Sequence, residues 1–324
     1  MKFEQAQSIF SKASNLALTE LDQAKISSPI VIDRPEGYSF PGFNSLLVSA
    51  SLNGWVEDGF SDAQTSISQA KATSEALERL VFRVFTDTNH LSDTSNGWAC
   101  HPCLNEAFLN AALELIERDV TLSTWENGGP FYEIPRTLWP VEVIEWLRIR
   151  PTKLEFQHLK ILLSHNANGS AISALLFNDS GNFVAGHSTN LILKNAILSA
   201  TVECLRAAHS ALRFEFFSDV LNLHKKSIET IKTPPGAHSL AYAYSESIPF
   251  CIKFDKATEE ECMKVWKYHQ LKTQNLAVDE FETNIFSINE HFVVRLRNSK
   301  YRNMFWGRSK IGRKIFNNNP HFVG

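Results

Sequence analysis

The stretch Ser95 to Val120, SNGWACHPCLNEAFLNAALELIERDV, decides how the chain is read. From about Asn105 it predicts one long amphipathic helix. At roughly 100° per residue, Glu106, Asn110, Glu114, Glu117 and Arg118 fall within about a third of the circumference. Phe108, Leu109, Ala111, Ala112, Leu113, Leu115 and Ile116 fill most of the remainder. A helix apolar over so much of its surface is expected to be buried, so its narrow stripe of carboxylates and arginine should not face open solvent. The plainer alternative is a solvated face with a Glu114–Arg118 pair, which stabilises a helix by only a few tenths of a kcal/mol.

Working outward, a second helix is expected over about Ala63 to Phe85. It carries Lys71-Ala-Thr-Ser-Glu75-Ala-Leu-Glu78-Arg79, with Glu75 and Glu78 on one face and Lys71 and Arg79 flanking Glu75. The first helix has the same Glu-x-x-Glu-Arg arrangement at Glu114 to Arg118. A third long helix, about Asn195 to Phe214, carries Glu203 near its centre. Residues 1 to about 25 read as helical. Ser45 to Trp55 has strand character, broken by an Asn53-Gly54 hairpin signal, and Val56 to Asp62 reads as a lead into the next helix. After Asp119 the pattern reads as a connection, up to a short helix around Val141 to Arg148. Strands are expected over Lys153 to Ser164, Ala171 to Asn178, Asn182 to Ala185, Phe250 to Phe254 and Phe292 to Leu296, with a helix over Thr258 to Gln270. This mixture predicts α/β or α+β architecture, with β-sheets packed against long helices. No internal repeat is visible in the sequence.

The 324 residues are 44% hydrophobic and 21% charged, with a net charge of -3. That composition suits a soluble protein and gives no electrostatic footprint for nucleic acid or an anionic membrane. No apolar run reaches the length of a membrane span. The five scattered cysteines and the lack of a signal peptide point to the cytoplasm. Cys100-His101-Pro102-Cys103 has the C-x-x-C form, yet no βαβ context or second pair supports redox or zinc chemistry. It reads as the loop leading into the helix. His187 reads as a loop residue in reach of phosphate, and His209 as a packed core or surface histidine.

If Glu75, Glu78, Glu106, Glu114, Glu117 and Glu203 converge, they raise one another's pKa and resist ionisation unless a hard cation joins them. Arginines beside the carboxylates suit a magnesium–nucleoside triphosphate. No Walker loop or GxGxxG fingerprint is present, so a nucleotide site would be of another kind.

At these residues the sequence resembles the YcaO family, ATP-dependent enzymes that modify peptide backbone amides. Lys71 to Arg79 is similar to the family's first motif, and Ser95-Asn96-Gly97-x-Ala99 to the segment entering its second. Glu114 to Asp119 resembles the third, and Ala196 to Glu203 a later helix. Val293-Val294-Arg295 and Asn319-Pro320-His321 resemble the C-terminal strand and tail. The resemblance covers most of the chain and implies a single domain over 1–324, including the N-terminal segment of about 1–44. It implies magnesium ligation by Glu75, Glu78, Glu114, Glu117 and Glu203. Contacts to ATP would come from Lys71, Arg79, Glu106, Asn110, Arg118 and Ser199. Four positions depart from the family pattern: Lys71 stands for serine, Pro102 for asparagine, Asn110 for glutamine and Ser199 for arginine. The tail lacks the Pro-rich end of azoline-forming members.

The implied chemistry is cyclodehydration of Cys, Ser or Thr to azoline in a ribosomally made peptide. ATP phosphorylates the amide oxygen, which then leaves as phosphate. Thioamidation of a backbone amide is the neighbouring outcome. A nucleotide-impaired, non-catalytic subunit and a different ATP-dependent ligase or kinase are the rivals. With no obvious peptide-recognition domain, a partner protein is expected to present the peptide substrate; the family architecture is often dimeric, which implies a homodimer.

Overall fold

The computed structural model describes residues 17–89, 96–152, 154–214, 254–276 and 278–302. In chain order these form β1 (Leu18–Glu20), β2 (Lys25–Ile26), β3 (Ile30–Val31), β4 (Phe43–Leu52), β5 (Trp55–Gln64), α1 (Thr65–Thr88), β6 (Trp98–His101) and α2 (Leu104–Glu126). There follow β7 (Phe131–Glu133), α3 (Val141–Ile149), β8 (His158–Asn166), β9 (Gly169–Phe177), β10 (Phe183–Ser188) and α4 (Leu193–Phe214). The order closes with β11 (Phe254–Lys256), α5 (Glu259–Gln274), β12 (Glu282–Ile288) and β13 (His291–Arg297). The mixed architecture expected from the sequence is observed. No helix among the described residues is long and apolar enough to cross a membrane.

The chain forms two compact units. Among the described residues, the first takes those up to Asp33, Gly42–Leu115 and those from Leu271; the second takes Arg34–Pro41 and Ile116–Gln270. The first unit holds two sheets. One has the order β1-β12-β13-β6; in the other β2, β3 and β5 all pair with β4. The β4–β5 hairpin turns at Asn53 and Gly54, whose φ values of 50° and 90° give the right-twisted turn that a two-residue hairpin prefers. Leu46, Val48, Ala50 and Leu52 alternate inward on β4, as the two-residue strand period requires, and join Ala72, Ala76, Leu77, Leu80 and Val81 of α1 in one core. Trp98 completes that core, 5.9 Å from a stacked Phe286. The second unit holds one sheet, β10-β9-β8-β7-β11, with Trp125, Phe131, Leu162, Leu175 and Phe183 clustered on it.

Several expectations are corrected. Leu18–Glu20 and Lys25–Ile26 are strands rather than helix, because β1 pairs with β12 and β2 with β4; residues 1–16 lie outside the described ones. Val56 to Asp62 is not a lead into the helix but most of β5. The helix α2 does not stop at Asp119. Ser123 and Thr124 donate their hydroxyls to the Val120 carbonyl at 3.1 and 2.8 Å, so the polar run past Asp119 is satisfied within the helix. β6 and β12 were missed: the C-x-x-C stretch begins on a buried strand, with Cys100 in the core. The tail motif at Asn319 to His321 and residues 250–253 lie outside the described residues.

Candidate functional site

The five glutamates expected to bind metal all sit on long helices, and four of them accept a backbone amide. Glu75 on α1 accepts the Phe60 N–H at 3.2 Å. Glu114 on α2 accepts the N–H groups of Gly97 and Trp98 at 3.1 and 3.2 Å. Glu78 accepts the Cys100 N–H. In the second unit, Glu203 on α4 accepts the His187 N–H at 2.8 Å. Except for Gly97, which immediately precedes β6, the donors share one origin. β5, β6 and β10 are edge strands among the described residues, and Phe60, Trp98, Cys100 and His187 lie on them. An edge strand presents a row of amides that no neighbouring strand takes; here helix carboxylates take them.

In the first unit the consequence is a concentration of negative charge. Burial holds the Glu78 carboxyl well above the usual carboxylate range, and the charges of Glu114 and Glu75 raise it further. Arg79 and the Cys100 amide offset only part of this. Arg79 is engaged with its own helix and strand: it pairs with Glu75 at 2.5 Å, donates to the Asp58 carbonyl at 3.1 Å and lies 5.8 Å from the Phe60 ring centroid. Lys71 is pulled below its ordinary value by desolvation.

The polar stripe of α2 is graded rather than uniformly sheltered, which corrects the sequence expectation. Glu106 and Asn110 are exposed at its start, whereas Glu114, Glu117 and Arg118 are half-buried. Glu117 and Arg118 are 3.8 Å apart, each side chain 13% exposed. Ser199 is exposed on α4. His187 lies buried on β10, not in a loop, with Nδ1 3.0 Å from Ser173 Oγ. Of the core and surface settings open to His209, the structure shows the buried one, its Nδ1 2.9 Å from an Arg34 nitrogen.

A model of the YcaO family, described as YcaO cyclodehydratase and ATP- and Mg2+-binding, matches residues 79–278, more than half of the chain. The chain belongs to the YcaO family. The match begins at Arg79, so Glu75 and Glu78 lie immediately before it. Among solved structures the chain is similar to the Escherichia coli microcin synthetase McbBCD complex, at 13% identity over 95% of this chain and 99% of that one, with a TM-score of 0.52. It is similar to YcaO from Methanopyrus kandleri bound with AMPPCP and Mg2+, at 13% identity over 89% and 90% of the two chains, TM-score 0.52. A heterocyclase in complex with substrate and cofactor matches at 13% identity over 94% of this chain and 53% of that one, TM-score 0.50. At these identities the likeness is one of fold. No curated protein sequence matches.

ATP and Mg2+ are the cofactors of this family, and the donor set here suits them. Among the described residues no group of three or more His, Cys, Asp or Glu side chains is placed to hold a metal ion alone. Magnesium, however, commonly takes one or two carboxylates with phosphate oxygens and waters. Glu78, pressed by Glu114 and Glu75, is a carboxylate whose charged form a cation would stabilise. Cys100, by contrast, is no nucleophile: burial and the neighbouring Glu78 charge push its thiol up.

What sequence reading missed was the main chain. Gly59, Phe60, Gly97, Trp98 and Gly186 carry no group that a motif search would notice, and Cys100 and His187 draw notice for their side chains rather than their amides. The one available signal was a shared Gly-x-Ser followed by Ala-Thr-x-Glu-x-Leu, at Gly59 to Leu77 and Gly186 to Leu205.

Proposed function

We propose that the chain is a magnesium- and ATP-dependent enzyme acting on a peptide backbone amide, with cyclodehydration of Cys, Ser or Thr to azoline as its reaction and the described units working as one domain. The observation that carries this reading is the seating of helix glutamates on strand amides, Glu75 on Phe60 and Glu114 on Gly97 and Trp98, with Glu78 between them, in a family described as binding ATP and Mg2+. An amide carbonyl is a weak electrophile and its oxygen a poor leaving group. Bound ATP with magnesium supplies the phosphoryl group that makes that oxygen leave as phosphate.

The chain's own residues would place and neutralise. Glu75, Glu78, Glu114, Glu117 and Glu203 are proposed as magnesium ligands. Lys71, Arg79, Glu106, Asn110, Arg118 and Ser199 are proposed as nucleotide contacts. The substituted positions Lys71, Asn110 and Ser199 keep thioamidation and a non-catalytic, peptide- or partner-binding subunit as second readings. The McbBCD neighbour is a complex, also solved with pro-MccB17 bound. That supports a peptide substrate and a partner protein for this chain too. Homodimer formation and a cytoplasmic location complete the proposal.

The test is calorimetric titration of ATP with and without magnesium, on wild type and on Glu114→Gln/Glu117→Gln. Magnesium-dependent binding that the double variant loses is the expected result; a folded wild type with no binding favours the non-catalytic reading. Mass spectrometry of a co-expressed peptide then separates loss of water from exchange of oxygen for sulfur.

A further inference from the structure

Each unit contains a copy of the same element, contrary to the sequence expectation of no repeat. In the first unit the β4–β5 hairpin runs into α1; in the second the β9–β10 hairpin runs into α4. A Cβ on Gly59 of β5 would lie 2.1 Å from the Ala72 carbonyl oxygen and 2.2 Å from the Ala76 nitrogen. A Cβ on Gly186 of β10 would lie 2.3 Å from the Ala200 carbonyl oxygen and 2.2 Å from the Cys204 nitrogen. In both copies the helix atoms belong to the residues three before and one after a glutamate, Glu75 or Glu203. In both copies the residue after the glycine donates its N–H to that glutamate: Phe60 at 3.2 Å, His187 at 2.8 Å. Each glutamate also has an arginine on its own helix, Arg79 at 2.5 Å and Arg206 at 3.9 Å.

The correspondence extends to position. Glu75 stands ten residues beyond Thr65, where α1 begins, and Glu203 ten beyond Leu193, where α4 begins. Lys71 and Ser199, two of the departures from the family pattern, both fall four residues before the glutamate. Close helix–strand packing explains the glycines. It does not explain why the next amide finds a carboxylate in each copy, since any edge amide can be satisfied by water.

We propose that this is one positioning element used twice, each time within its own unit: Gly59 with the Phe60 amide sets the Glu75 carboxylate, and Gly186 with the His187 amide sets the Glu203 carboxylate, each as a ligand for magnesium. The proposal rests on the ATP–magnesium reading above. The glycines let helix and strand backbones meet, and that contact fixes the height of the glutamate over the edge amide. Gly59, Phe60, Gly186 and His187 are therefore positioning residues.

The experiment uses the full chain labelled with 15N-phenylalanine and 15N-histidine, with the Phe60 and His187 amides assigned through Phe60→Leu and His187→Gln. Before any nucleotide is added, Glu75→Gln should move the Phe60 amide and leave His187 still, and Glu203→Gln the reverse. Adding ATP with magnesium to wild type should move both amides. Gly59→Ala and Gly186→Ala should each raise the magnesium concentration for half-maximal ATP binding, on the order of tenfold or more. Melting curves check that these variants fold, and the glutamine variants carry the test where they do not. A nucleotide response at one amide alone overturns the double use of the element. Amides that ignore their own glutamate's change overturn the positioning device. A wild type that binds no ATP, with both glutamine responses intact, sinks the ATP–magnesium reading and leaves a purely structural repeat.

Discussion

Asp119 on α2 accepts a hydrogen bond from the Asn166 side-chain amide in the β8–β9 turn at 2.8 Å, and the same carboxylate oxygen accepts Asn168 at 2.8 Å. Asn166 in turn receives the Asn168 and Gly169 N–H groups on its carbonyl oxygen. Asp119 is 3% exposed, so one buried carboxylate shapes the turn beside the Glu117–Arg118 segment. Asp119→Ala takes a charged acceptor from two amides and should cost about 3 kcal/mol, measured by urea unfolding. Asp119→Asn keeps an acceptor and should cost about half as much.

Glu114 separates folding from cofactor binding. Glu114→Ala removes the acceptor of the Gly97 and Trp98 amides and should destabilise by about 2 kcal/mol. Glu114→Gln retains a carbonyl oxygen there, so its stability should stay within about 1 kcal/mol of wild type. Both variants should lose magnesium-dependent ATP binding. Paired denaturation and calorimetry data in which Gln binds ATP as wild type does would remove Glu114 from the magnesium site.

Glu78 is the residue at which stability and binding should oppose each other. Its charged form is disfavoured by burial and by Glu114 and Glu75. Glu78→Gln should raise the stability of the nucleotide-free protein by about 1 kcal/mol while weakening magnesium–ATP binding. A loss of stability would mean that the carboxylate's hydrogen bonds outweigh the repulsion.

His269 should make the second unit sensitive to acid. Its Nδ1 accepts the Ser170 N–H at 3.3 Å, so its proton sits on Nε2, 3.2 Å from the Asn190 carbonyl oxygen. The ring is fully buried, and burial pulls its pKa down to about 4. The unfolded chain, with an ordinary histidine near 6.5, binds the proton more readily. Stability is therefore complete above about pH 6.5 and falls as the pH drops toward 4, by about 3 kcal/mol in all. Urea midpoints across this range should show the slope, and His269→Gln should flatten it.

Thiol reactivity should divide the C-x-x-C pair. Cys103 is exposed, whereas Cys100, Cys204 and Cys262 are buried with their thiols pushed up by burial. Iodoacetamide at neutral pH should label Cys103 and spare these three by peptide mapping. Equal labelling of Cys100 would contradict its place in the core.

The sequence made the long helices legible because their apolar faces repeat at the helical period, and the Asn53-Gly54 pair gave the hairpin turn. The Glu-x-x-Glu-Arg units marked where charge would collect. Other features were hidden for physical reasons. Leu18–Glu20 and Trp98–His101 are short strands whose structure comes from partners far along the chain, Ile285 to Ser287 and Phe292 to Arg295, and no local pattern carries such a pairing. The continuation of α2 past Asp119 was obscured because Ser123 and Thr124 look like turn residues until their hydroxyls are seen bonded back to Val120. The seats of the glutamates were invisible because backbone amides, which every residue except proline carries, provide them.

Where Gly59 meets Ala72 and Gly186 meets Ala200, backbone touches backbone with no side chain between. A junction of that kind depends on main-chain atoms and asks of the strand only a missing side chain. The residue after each glycine can be any but proline, and the carboxylate keeps its donor as long as the glycine stays. Relatives that have lost nearly all shared letters can thus inherit the same local geometry, and the glycines and the amide after each are where an alignment of such distant chains should be anchored.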